Sequence, residues 1–148
     1  MSEHPTVFLG FDHLDVRVSS LAAVEQFYDL LMPALGLPVK RYAFVAGDEW
    51  RTVTSTDIYN AVEYVQSAPS GTAATFIGII EDLEMQATRT RVAFPVPDPA
   101  SLQTWVAFLT EIKARDVELS SDFVAYPAVF FEDPAETKWE ICARRSDP

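Results

Sequence analysis

Two stretches of this sequence, 78 positions apart, carry the same hydrophobic pattern. Residues Asp12-His13-Leu14-Asp15-Val16-Arg17-Val18 alternate polar with apolar, and a period of two predicts a half-buried strand. Leu14, Val16 and Val18 make its apolar face, which leaves His13, Asp15 and Arg17 together on the other. Ser19 and Ser20 are capping residues, after which Leu21, Val24, Phe27, Leu31 and Leu35 recur at helical spacing until Gly36 stops the run. In the second half Arg91-Val92-Ala93-Phe94-Pro95-Val96 alternates in turn. Asp98-Pro99 then supplies a cap and a first-turn proline for a helix striped by Leu102, Trp105, Leu109 and Ile112. The shift lays Val24 on Leu102, Phe27 on Trp105, Leu31 on Leu109, Ala34 on Ile112, and His13 on Arg91. A constant offset through both a strand and a helix marks an internal repeat, which fixes architecture more firmly than local propensity does.

Strand-like segments follow each helix. In the first half they are residues 39–45, 61–65 and 75–80, with Ser67-Ala68-Pro69-Ser70-Gly71 as a turn; residues 50–60 have no readable register. In the second half they are 117–119, 128–131 and 138–143, the last two separated by the tight turn Asp133-Pro134-Ala135-Glu136. Each half thus reads as strand, helix and about three strands, an α+β pattern. The expected organisation is one domain over 1–148, with module 1 at about 8–82, module 2 at about 88–145 and a junction at 82–90.

Composition narrows the classes. A chain of 148 residues, 49% apolar, buries a core without cross-links. The single cysteine, Cys142, rules out an internal disulfide and any cysteine-pair zinc site. No segment has the uncharged length of a membrane span and the opening residues are not a signal peptide, so the expected location is the cytoplasm. A formal net charge of −11 with no Lys/Arg cluster argues against nucleic acid as a partner. The same acidity favours solubility and permits a cationic ligand without selecting one. No glycine-rich phosphate loop or nucleotide fingerprint occurs among the five glycines.

The run Phe11-Asp12-His13-Leu14-Asp15-Val16-Arg17-Val18, then Phe27-Tyr28 and Leu35-Gly36, is similar to the first module of the vicinal oxygen chelate superfamily, which includes glyoxalases, bleomycin resistance proteins and extradiol dioxygenases. Val129-Phe130-Phe131-Glu132-Asp133-Pro134, then Lys138-Trp139-Glu140-Ile141, resembles its closing signature. Phe76-Ile77-Gly78-Ile79-Ile80-Glu81-Asp82 and Thr90-Arg91-Val92-Ala93-Phe94 resemble an uncharacterised glyoxalase-like branch. The resemblance spans nearly the whole chain. It implies two βαβββ modules forming a curled mixed sheet, a cup with helices outside, around a small-molecule site that usually holds a divalent metal. It also implies a homodimer, and a reaction of lyase, isomerase or dioxygenase type.

Carried over by position, the resemblance makes His13 the first metal ligand and Glu140 the last, with Glu81, or alternatively Glu63, as the remaining carboxylate. The metal would be Zn, Ni, Mn or Fe, with open positions for the adjacent oxygens of a substrate. Arg91 occupies the position of the second module's histidine. A guanidinium is always charged and cannot ligate, so Arg91 beside a dication costs electrostatic energy. It is left two other roles at the site: pairing with Glu140, or presenting its fork to an anionic substrate. Two readings therefore stay open. One is a metal-dependent enzyme with Glu140 and Arg91 at the chemistry; the other is a metal-free binding or sequestering protein of the bleomycin-resistance type. Phe76, Tyr126, Phe130 and Phe131 are candidates for either a pocket wall or core, and parity sends Phe130 and Phe131 to opposite faces. Cys142 shares Glu140's face but has no adjacent base to activate it.

Overall fold

The computed structural model describes residues 7–143. Its first strand, β1 (His13–Val18), has the expected alternation, with the even positions turned inward. Helix α1 (Leu21–Ala34) starts at Ser20, whose hydroxyl accepts the amide of Ala23 at 3.2 Å. It ends where Gly36 turns to φ +92; there Gly36 N donates to Pro33 O and Leu37 N to Met32 O, a paired cap that the left-handed glycine makes reachable. Strands β2 (Val39–Ala46), β3 (Glu49–Val53), β4 (Ala61–Val65) and β5 (Phe76–Glu81) complete the first half. The second half is β6 (Arg91–Pro95), α2 (Ser101–Glu111), β7 (Arg115–Leu119), β8 (Ala128–Glu132) and β9 (Lys138–Cys142).

The strands form two sheets, ordered β1-β5-β4-β2-β3 and β6-β9-β8-β7. In each, the strand before the helix lies parallel to the last strand of its module, β1 beside β5 and β6 beside β9, while the other pairings are antiparallel. The two halves are therefore like units in a mixed α+β fold. They differ in one respect: the first module has an extra edge strand, β3, in the region with no readable register. It is made by a two-residue Gly47-Asp48 hairpin loop with Gly47 at φ +60, so β2 folds straight back on itself.

Helix α2 begins later than its cap motif suggests. Pro99 and Ala100 form a turn in which Leu102 N reaches Pro99 O, and the Asp98 carboxylate accepts Ser101 N at 2.9 Å, so Asp98 caps a tight turn leading into the helix.

One apolar cluster spans both halves: Val24, Phe27, Tyr28 and Leu31 of α1, Leu102 and Leu109 of α2, and Ile79, Phe131, Trp139 and Ile141 from the sheets. Tyr28 and Met32, outside the expected stripe, are fully buried as well. The face of α1 is wider than its own sheet needs because Tyr28 reaches the second module. Its hydroxyl donates to Asp133 and accepts from Trp139 Nε1 at 3.0 Å. Asp133, read from sequence as a turn residue, is fully buried and also accepts the amides of Ala135 and Thr137.

Candidate functional site

Strand register sorts the side chains that face away from the core. On the first sheet His13, Asp15 and Arg17 align with Phe76, Gly78 and Ile80 of β5, and Gly78 aligns with Glu63 of β4, which aligns with Arg41 of β2. His13 is held by three neighbours. Its Nδ1 hydrogen bonds to Asp12 at 2.7 Å, its Nε2 lies 3.8 Å from Asp15, and its ring stacks flat on Phe76 with centroids 4.5 Å apart. The Asp12 hydrogen bond, aided by the charge of Asp15, holds the imidazole above its ordinary pKa. Asp15 has room because Gly78 has no side chain; a Cβ there would sit 2.8 Å from Asp15 Oδ1. Glu63 pairs with Arg41 at 3.4 Å, but burial outweighs the pair and pushes its carboxyl up.

On the second sheet Arg91, Ala93 and Pro95 align with Lys138, Glu140 and Cys142, and these with Glu132, Phe130 and Ala128 of β8. Arg91 lays its guanidinium over Phe130, 4.6 Å from the ring centroid. Glu140 is only 5% exposed and accepts the hydroxyl of Tyr126 at 2.9 Å. The anticipated pair of Arg91 with Glu140 is not formed: Arg91 has taken a ring and Glu140 a phenol. Phe131 is core and its strand neighbour Phe130 takes the opposite face, as parity requires, with Tyr126 in the loop before β8.

Glu81 lies on the other side of its sheet. It aligns with buried Val18, and its carboxylate accepts Leu21 N at 3.0 Å, capping α1. Glu81 is therefore a helix-capping acid turned from His13, whereas Glu63 shares the His13 face. The segment Phe76-Ile77-Gly78-Ile79-Ile80-Glu81 has isoleucines on both faces, so its sequence parity did not disclose this.

His13 and Arg91 share a cavity of about 510 Å³ bounded by β1, β5 and β6 and by the end of α1, with Phe11, Phe76 and Phe94 in its wall. Glu140 is not among the lining residues. Phe11 and Phe94 were missed as site residues because each sits inside a segment whose pattern already accounted for it as strand or lead-in.

No family profile and no curated protein matches this sequence. Solved structures do match in fold. A glyoxalase/dioxygenase from Nostoc punctiforme is 20% identical over 99% of this chain and 98% of its own, with a TM-score of 0.60. A glyoxalase/bleomycin resistance protein from Albidiferax ferrireducens T118 is 19% identical over 91% and 98%, at 0.57. A mutant of the fosfomycin resistance protein FosX from Listeria monocytogenes, complexed with Mn(II) and 1S,2S-dihydroxypropylphosphonic acid, is 13% identical over 95% and 96%, at 0.53. This chain has the vicinal oxygen chelate fold.

Within that fold, the residues here do not fit a divalent ion. Among the described residues, no three His, Cys, Asp or Glu side chains come together as a ligand set. His13 keeps Nε2 available, since only its Nδ1 is on Asp12, but the carboxylates do not gather round it: Glu63 is held by Arg41, Glu140 sits on the other sheet under Tyr126, and Glu81 faces α1. On β5, the last strand of the first module, the residue beside Asp15 is Gly78, which has nothing to donate.

Proposed function

We propose that the chain is a metal-independent small-molecule-binding protein whose ligand lies in the cavity between β1 and β6. The observation that carries this reading is where the candidate donors have gone. Each carboxylate that a metal would need already has a protein partner or faces elsewhere, which leaves His13 Nε2 without companion ligands, while the cavity is open and walled by rings. Its volume of about 510 Å³ is in the range of pockets that enclose small organic molecules. A glyoxalase- or dioxygenase-type reaction routed through an ion would need His13, Glu63 and Glu140 to converge, and among the described residues no such ligand group is assembled.

The test is direct. The protein, incubated with Mn, Fe, Ni or Zn and desalted, retains far less than one equivalent and unfolds at an unchanged temperature, because nothing binds the native state preferentially. A small-molecule screen by thermal shift gives stabilisation with ring-bearing compounds, with EDTA present. Stoichiometric uptake of any of these ions, with a raised unfolding temperature, restores the metal-dependent lyase or dioxygenase reading.

A further inference from the structure

The cavity between β1 and β6 is chemically unlike the molecule around it. The chain has 22 acidic residues against 11 basic ones, yet no Asp or Glu lines this cavity. Its ionisable lining groups are His13 and Arg91. His13 has Asp12 and Asp15 as partners. Arg91 rests on the Phe130 ring, a wall of the neighbouring cavity; among the described residues it has, like Arg51, Arg89 and Lys113, no carboxylate within ion-pair distance, whereas Arg17, Lys40, Arg41, Arg115 and Lys138 each have at least one.

Resting on the reading above, we infer that the cavity takes a ring-bearing apolar anion of the aromatic carboxylate class, its charge on Arg91 and its ring against Phe11, Phe76 and Phe94. The net charge of −11 suggests the reverse preference, and distance decides between the two. Solvent-exposed acids more than a Debye length away, about 8 Å at physiological salt, are largely screened, while a guanidinium in contact with a carboxylate is not. Arginine presents a planar fork that matches two carboxylate oxygens, and apolar walls raise the strength of that pairing. A cationic ligand in this cavity meets Arg91 and no carboxylate in the lining. Even the neighbouring cavity of about 350 Å³, where Asp116, Glu118 and Glu132 are gathered, is lined by Arg91.

The experiment is calorimetric titration of the full chain with three isosteric probes: 2-naphthoate, the neutral 2-naphthylmethanol and the cationic 2-naphthylmethylammonium. The expected order is naphthoate at least tenfold tighter than the alcohol, with the ammonium weakest. In Arg91→Gln, an exposed position whose loss the fold tolerates, the naphthoate affinity falls to that of the alcohol while the alcohol is unaffected. Equal binding of all three, tightest binding of the ammonium, or a naphthoate preference that survives Arg91→Gln overturns this inference and leaves the metal-independent binding site standing. No binding by any of the three overturns both.

Discussion

A single hydroxyl ties the two halves together. Tyr28 Oη donates to Asp133 and receives Trp139 Nε1–H, all three groups being buried, and burial with the adjacent Asp133 charge drives the phenol well above its ordinary pKa. Tyr28→Phe leaves an acceptor and a donor without partners in a dry site and is expected to cost about 1–3 kcal/mol, read as a lower urea midpoint at unchanged m-value. Glu63 gives a pH signature. Its folded pKa is raised from 4.5, so the folded state holds that proton more tightly than the unfolded chain, and stability is lost as pH rises through the folded value. Glu63→Gln, which cannot ionise, should therefore gain on the wild type as pH climbs above the ordinary glutamate value of 4.5. The gap stays at about 1 kcal/mol or less, because the group is partly exposed and Gln gives up the pair with Arg41. Unfolding temperatures across pH 3.5–8 check both sign and size.

At the scale of elements, α1 shows how one acid can be misplaced by sequence alone. Its first turn is closed by Ser20 on Ala23 N and by Glu81 on Leu21 N, the latter a carboxylate from a strand 60 residues away at the positive end of the helix. Glu81→Ala is expected to lower stability by about 1 kcal/mol, the usual cost of a lost cap, and to leave naphthoate binding unchanged. A loss of binding with stability intact would place Glu81 at the site after all. The repeat, the α1 start at Ser20, its end at Gly36 and the strands at 61–65 and 138–142 were all legible, because period and capping are local codes. The β3 strand was not, since its pairing with β2 depends on a hairpin whose edge residues are mostly exposed and carry no alternation.

For the molecule as a whole, the shared cluster of α1, α2 and both sheets makes independent melting of one half costly. Tyr28, Phe131 and Trp139 are counted in one core, and removing either module would expose them. We expect far-UV circular dichroism and tryptophan fluorescence to report one coincident thermal transition. Two separated transitions would show that the modules are separate folding units. Among the described residues no helix is long and apolar enough to cross a membrane.

Sequence alone determined the duplicated α+β plan and the face on which His13, Arg91 and Glu140 lie, because alternation along a strand is written in adjacent residues. It also raised both the metal and the metal-free readings from the same residues. Only the tertiary structure decided between the partners: Arg91 on Phe130 instead of Glu140, Glu81 on a helix end, Glu63 on Arg41, and a cavity with His13 and Arg91 in its wall. A charged side chain meets whatever the register of neighbouring strands and the packing of the other module bring within its reach. Those separations run to tens of residues, and no local pattern encodes them.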